Sequence, residues 1–155
     1  MALEHRISEL DTYLFAKGTH YEIYEKMGAH LAEEDGKAGT YFSVWAPNAR
    51  SVSVVGDFNN WDRSAHPMQP VQQSGIWDIF VPGVKAGDLY KFAVETSQGY
   101  TVLKADPYGN QSQLRPDNAS VVADIRHFDW TDQAWRKAHQ EKKTESPMAI
   151  YEVHP

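Results

Sequence analysis

One tryptophan of this sequence lies in a polar turn that offers it no core to enter. Trp61 ends the run G-D-F-N-N-W at residues 56–61, in which Gly56, Asn59 and Asn60 are typical turn residues. A tryptophan offers a large apolar face and loses little rotamer entropy on binding. An exposed ring here could stack on the C–H face of a pyranose sugar. The alternative is that Trp61 folds back as a lid over the end of the domain.

A stacked sugar also needs polar partners for its hydroxyl groups. Lys91 carries three hydrogen-bond donors, and the amide of Asn118 carries both donors and an acceptor. The residue types therefore predict a carbohydrate site made of Trp61, Lys91 and Asn118.

The sequence shows no pattern typical of a catalytic or metal site. It has no cysteine, no G-x-S-x-G motif and no phosphate-binding glycine loop. The seven histidines are scattered, without two of them four residues apart beside a carboxylate. The acidic residues lack the spacing of a glycosidase carboxylate pair and are interpreted as solvated surface groups. We therefore expect binding without catalysis, and neither a metal nor a cofactor.

The bulk composition excludes two classes of partner. The formal net charge is −6 and no cluster of basic residues stands out, so nucleic acid is a poor candidate. No apolar run is long enough to span a bilayer or to serve as a signal peptide. We expect a cytoplasmic location.

Two-residue periodicity dominates the middle of the chain and predicts an all-β, antiparallel sandwich with short flanking helices. The predicted strands cover residues 40–46, 50–56, 76–81 and 88–95, with weaker ones at 100–103 and 119–123. Alternation places Tyr90 and Phe92 in the core and Lys91 outside. By the same reasoning Asp78 faces outward, and Trp45 is assigned to the core by default.

Helical patterns flank the predicted strands. Ile7, Leu10 and Leu14 predict an amphipathic helix over residues 4–17. The spacing of Thr19 and Glu22 resembles a capping box, which predicts a second short helix that ends at Gly28 and packs through Tyr21, Tyr24 or Met27. Residues 33–39 are predicted to be a loop. A third helix is expected around Trp135, and residues 148–154 begin like a strand that lacks a partner, which suggests a fragment.

Several short motifs follow one another along nearly the whole chain. They read G-T-H-Y at 18–21, Y-E-K-M-G-A-H at 24–30, F-S-V-W-A-P-N at 42–48, V-V-G-D-F-N-N-W at 54–61, L-Y-K-F at 89–92, K-A-D-P-Y at 104–108 and I-Y-E-V-H at 150–154. Together they resemble the amino-terminal part of bacterial 1,4-alpha-glucan (glycogen) branching enzymes. The resemblance implies a family 48 carbohydrate-binding module, an immunoglobulin-like sandwich that precedes the catalytic TIM barrel of family 13 enzymes.

The resemblance also implies a domain plan. Residues 1–37 would form a helical lead-in, 38–126 the sandwich, 127–147 a helix and linker, and 148–155 the truncated start of the catalytic barrel. The barrel's catalytic aspartate and glutamate would lie beyond Pro155, so no catalytic residue is carried over.

By similarity to related glycan-binding modules, Trp61, Lys91 and Asn118 would hold α-1,4-glucan such as glycogen or maltooligosaccharide. Those modules also use a second tryptophan after the Y-K-F strand, for which Tyr100 is the nearest candidate here, so the second platform would be weaker or displaced. The resemblance implies that the full-length parent enzyme is a transferase of glycogen biosynthesis, and that the module belongs to the starch-binding type. Two alternatives remain open: a structural spacer that binds no sugar, or the same module from a debranching enzyme or a trehalohydrolase.

Overall fold

The computed structural model describes residues 6–126, 129–140, 147 and 149–154 of the chain. The chain divides into two units, residues 1–125 and residues 126–155.

The first unit is a sandwich of two antiparallel sheets, which confirms the predicted all-β fold. Sheet 1 has the order β1-β2-β5-β4, with β1 at Gly28–Glu34, β2 at Lys37–Trp45, β4 at Gln69–Pro70 and β5 at Ile76–Pro82. Sheet 2 has the order β3-β6-β9-β8, with β3 at Ala49–Gly56, β6 at Leu89–Thr96, β8 at Gln111–Ser112 and β9 at Ser120–Val121. Strand β7, Thr101–Lys104, pairs with the later half of β6. Each of the six predicted strands is present, with bounds shifted by up to three residues.

The main core lies between the two sheets, as the alternating sequence pattern predicts. Phe42 and Val44 of sheet 1 pack with Val54, Tyr90 and Phe92 of sheet 2, all of them buried. Removing one such side chain from water contributes about 1.5–3 kcal/mol to stability. Because Tyr90 and Phe92 point inward, Lys91 between them belongs to the outer face of sheet 2.

A second apolar cluster covers the outer face of sheet 1. Ile7, Ile23 and Met27 of the amino-terminal segment pack there against Val71 and Ile76. Asp78 lies on the side of β5 opposite the core residues Ile79 and Val81, as the alternation predicts. The prediction that Asp78 is solvated is wrong, because this cluster covers its face of the sheet. Asp78 is buried on the same face as Ile76 and accepts a hydrogen bond from the hydroxyl group of Tyr41. A short acidic residue can lie inside when a donor meets it.

The amino-terminal helices are shorter than predicted. Helix α1 covers Glu9–Ala16 and begins at Ser8, whose side chain and backbone exchange hydrogen bonds with Asp11. Ile7 is buried as expected, but Leu10 is 64% exposed, so the continuous apolar face predicted for residues 4–17 is not formed. Residues 4 and 5 of that range lie outside the described part.

The second predicted helix is reduced to a single 3-10 turn at Ile23–Glu25, with no side-chain cap at Glu22. Of its predicted packing residues, Met27 is buried whereas Tyr21 and Tyr24 are exposed.

The predicted loop over residues 33–39 is instead a β-hairpin between β1 and β2. Its turn consists of Asp35 and Gly36, with φ of 51° and 73°. Asp-Gly is favoured in two-residue hairpins because both positions need positive φ. The hairpin ends with Trp45 at the sheet rim, where the ring is 52% exposed and meets Phe15 edge-on at 5.9 Å. The core assignment of Trp45 is therefore wrong.

The second unit contains helix α2, Gln133–Gln140, at the position predicted around Trp135. Residues 149–154 form no strand, unlike the sequence-based expectation for 148–154; Met148 and Pro155 lie outside the described residues. A strand needs backbone hydrogen bonds to a neighbour. The assignment of this segment to a catalytic barrel stays a prediction.

Candidate functional site

The loop that carries Trp61 is placed by the pairing of β3 with β6. Gly56, the last residue of β3, lies opposite Tyr90. A Cβ atom at Gly56 would come within 2.1 Å of the carbonyl oxygen of Leu89. Only glycine allows the two strands to approach so closely. The loop after Gly56 therefore begins beside the start of β6, next to Lys91.

The shape of this loop is held by Asn59, which is 9% exposed. Its side-chain oxygen accepts a hydrogen bond from the backbone N–H of Gly56 at 2.9 Å, and its Nδ2 donates to the carbonyl of Val54 at 3.0 Å. The same Nδ2 lies 2.9 Å from Nδ1 of His66. From the sequence alone, Asn59 is expected to be only a turn residue. Its position three residues after Gly56 is the signal that could have indicated this role.

The backbone at the tip of the loop is left-handed at two successive residues. Asn60 has φ of 52° and Trp61 has φ of 60°. For a residue other than glycine this conformation costs roughly 1–2 kcal/mol, and it is unusual for tryptophan. The backbone N–H of Trp61 donates to the carbonyl of Gly56 at 3.0 Å. Strain of this kind is often found in ligand-binding loops.

The indole ring of Trp61 is held at the surface. Its Nε1 donates to Oδ1 of Asp57 at 3.1 Å, and the residue is 36% exposed. Trp61 belongs to neither of the two buried clusters. After the ring, Asp62 accepts hydrogen bonds from the backbone N–H and the hydroxyl group of Ser64 at 2.8 and 2.7 Å. These bonds hold the pKa of Asp62 below its usual value.

Lys91 and Asn118 meet on the outer face of sheet 2. The ammonium group of Lys91 donates to the side-chain oxygen of Asn118 at 2.5 Å. Asn118 precedes β9, whose Ser120 lies opposite Tyr90. Strand register therefore gathers three of the predicted site residues, Trp61, Lys91 and Asn118, at one end of sheet 2.

Tyr100 lies apart from these three residues. It is in the hairpin between β6 and β7, where its carbonyl accepts a hydrogen bond from the N–H of Thr96 at 2.9 Å. The ring is 55% exposed. Thr96 is five residues beyond Lys91, which is about 17 Å along an extended strand.

The buried carboxyl group of Asp106 links neighbouring segments of sheet 2 through hydrogen bonds. The hydroxyl of Tyr90 donates to Oδ2 of Asp106 at 2.6 Å, and the N–H of Asp106 donates to the hydroxyl of Ser120 at 2.8 Å. Burial raises the pKa of Asp106 and that of Tyr90. These bonds tie the segment after β7 to β6 and β9, and so help to place Asn118.

The described residues contain neither a candidate metal site nor a candidate membrane-spanning helix. No group of three or more histidine, cysteine, aspartate or glutamate side chains there could hold a metal ion. None of the helices in the described ranges is both long and apolar enough to cross a membrane.

The comparisons with known proteins agree with one another on the family. Carbohydrate-binding module 48 (isoamylase N-terminal domain) matches residues 26–109. The chain is 52% identical over 147 residues to the 1,4-alpha-glucan branching enzyme of Protochlamydia amoebophila, which covers 94% of this chain and 20% of that protein. For the corresponding enzyme of Butyrivibrio fibrisolvens the values are 52%, 96% and 23%. The chain thus spans about a fifth of the length of these relatives.

Solved structures share the sandwich. A Klebsiella pneumoniae pullulanase complexed with maltotriose aligns with a TM-score of 0.55 and 27% identity, covering 76% of this chain and 11% of the pullulanase. A putative alpha-amylase from Salmonella typhimurium aligns with a TM-score of 0.53 and 24% identity, covering 71% of this chain and 17% of that protein, and shows the fold alone. From the family match, supported by these similarities, the chain belongs to the carbohydrate-binding module 48 family.

Proposed function

We propose that this chain binds α-1,4-glucan, such as glycogen or maltooligosaccharide, through Trp61, Lys91 and Asn118. The observation that carries the proposal is the partly exposed Trp61 ring, fixed by a strained backbone at the same end of sheet 2 as the Lys91–Asn118 pair.

Each of the three residues has a distinct part in this proposal. The exposed face of Trp61 stacks on the C–H face of a glucose ring. Lys91 donates hydrogen bonds to sugar hydroxyls, and the Asn118 amide both donates and accepts. The bond between Lys91 and Asn118 orients both head groups before the sugar arrives. Such pre-organisation lowers the entropy lost on binding.

The parent protein in this proposal is a branching enzyme that cleaves an α-1,4 bond, holds a covalent glycosyl intermediate and transfers the chain to a 6-hydroxyl group. The proposal rests on identities near 50% to such enzymes. The 155 residues act without catalysis of their own, adjoin the catalytic barrel and raise the local glucan concentration there. The location is cytoplasmic, where glycogen would be made.

The experiment that tests the proposal is affinity electrophoresis through glycogen. Trp61→Ala should weaken retardation roughly tenfold or more, because anchoring aromatic residues carry much of the binding energy. Trp45→Ala is the matched control, since Trp45 is an exposed tryptophan on sheet 1. Equal retardation of Trp61→Ala and the wild-type chain would contradict the proposal.

A spacer that binds no sugar is the second candidate function, and the separate position of Tyr100 favours it. Without a second aromatic ring near Trp61, a sugar stacks on one ring only, which lowers the affinity of the module. A calorimetric titration of the folded chain with maltoheptaose that gives no heat would support the spacer. A debranching or trehalohydrolase parent is less well supported, because the pullulanases share 27% identity with the chain.

A further inference from the structure

The outer face of sheet 2 continues beyond Lys91 toward Tyr100, and its side chains there are small or polar. Residues on this face alternate with the core residues of β3 and β6. Ser53 lies opposite Ala93, Ser51 lies opposite Glu95, and Glu95 lies opposite Thr101 of β7. The strand register therefore defines a path from Lys91, across Ala93, to the hairpin that carries Tyr100.

A groove of about 230 Å³ lies on this path. Ser51, Ser53, Ala93 and Glu95 contribute to it from the sheet. Arg63, two residues after Trp61, lines it from one side, and Thr101, next to Tyr100, lines it from another. The groove thus touches both segments that carry an exposed aromatic ring.

We infer that this groove is an additional glucan subsite, in which a long chain that starts on Trp61 passes between Arg63 and Glu95 and ends against Tyr100. The inference rests on the proposed glucan binding and adds a preference for long chains. It also gives Tyr100 a place in the site despite its separation from Lys91.

The charges along the groove match what sugar hydroxyls need. A hydroxyl group both donates and accepts hydrogen bonds. Arg63 offers only donors, and ionised Glu95 offers only acceptors. The hydroxyl of Ser51 donates to Oε2 of Glu95 at 2.7 Å, which orients the carboxylate on the sheet surface.

The size of the groove suits part of an oligosaccharide rather than an independent ligand. Small-molecule pockets usually enclose about 300–1,000 Å³, and this groove is smaller. Ala93 is itself buried and forms part of the floor of the groove between the flanking polar groups. A glucan already held by Trp61 and Lys91 would reach the groove at high effective concentration, so even weak contacts there add affinity.

Calorimetric titration of the 155-residue chain with maltotriose and maltoheptaose tests the inference. The wild-type chain should bind maltoheptaose more tightly. Arg63→Ala should lower maltoheptaose affinity roughly tenfold, the usual effect of losing a hydrogen bond to a charged group, and leave maltotriose affinity unchanged. Tyr100→Ala should have the same selective effect. Lys37→Ala, which removes the same charge from the exposed start of β2 on sheet 1, should change neither affinity.

The outcomes separate this inference from the proposed function. Loss of affinity for maltoheptaose alone supports the groove as a subsite. Equal loss for both sugars in Arg63→Ala, or no loss for either, overturns it while glucan binding itself stands. A wild-type chain that binds neither sugar overturns the proposed function, and the subsite with it.

Discussion

Lys91 donates a hydrogen bond to the side-chain oxygen of Asn118 although the two residues are 27 positions apart in the chain. The contact forms because β6 and β9 are neighbours, with Tyr90 opposite Ser120. It leaves the remaining ammonium donors and the Asn118 amide group at the surface, at the end of the sheet that carries Trp61. This pair is the polar half of the proposed glucan site.

The pair should act as a unit in binding. Lys91→Met and Asn118→Ala are each expected to lower maltoheptaose affinity roughly five- to tenfold, since each removes hydrogen bonds to sugar hydroxyls. The double variant should lose less than the product of the two, because the partners share a hydrogen bond. Isothermal titration calorimetry measures all three affinities. Strictly multiplicative losses, or none, would contradict the shared role.

Asn59 should be needed for both stability and binding. Asn59→Ala leaves the N–H of Gly56 and the carbonyl of Val54 without their buried partner, which is expected to lower the free energy of unfolding by about 2 kcal/mol and to weaken glycogen binding. Urea denaturation and affinity electrophoresis measure the two effects.

The matched control is the neighbouring exposed asparagine. Asn60→Gly keeps a residue that adopts the left-handed conformation easily, so both stability and binding should be retained. If the two variants behaved alike, Asn59 would have no special role in holding the loop.

Asp11 should make the stability of the chain depend on acid pH. Burial alone would raise its pKa, but hydrogen bonds from Lys26, Ser8 and His20 outweigh it and hold the pKa below the ordinary value of 3.8. The unfolded chain therefore takes up a proton at this group before the folded chain does. The stabilisation is present above pH 3.8 and is lost as the pH falls below that value.

The measurement compares wild-type and Asp11→Asn chains in urea at several pH values. At pH 7 the variant should be less stable by about 2 kcal/mol, because charge-assisted hydrogen bonds are lost. The difference should shrink as the pH falls below 4. A difference that stays constant over this range would show that ionisation of Asp11 does not contribute.

The strands could be predicted from the sequence where one face of a sheet is core and the other is open. Val52 and Val54 alternate with serines and are buried as expected. The same rule gave the correct face for Asp78 but not its burial, because the amino-terminal segment covers that face of sheet 1. Such cover depends on contacts between distant parts of the chain, which periodicity does not reveal.

Local sequence signals were ambiguous at the β1–β2 hairpin and incomplete at the candidate glucan site. The charged residues around Asp35-Gly36 indicate a loop, although the dipeptide itself favours a hairpin. The residue types of Trp61, Lys91 and Asn118 suggested sugar binding, but the hydrogen bonds of Asn59 and the groove beside Arg63 follow from strand register and could not be predicted.

In the proposed complex, the Trp61 ring lies against a bound glucan. The most direct measurement follows the indole N–H resonances of the five tryptophans by nuclear magnetic resonance while maltoheptaose is added to the chain. The Trp61 indole signal should shift with saturation, together with the backbone signals of Lys91 and Asn118, while the Trp45 signal should stay in place. An unchanged Trp61 signal during binding, or shifts confined to other tryptophans, would contradict it.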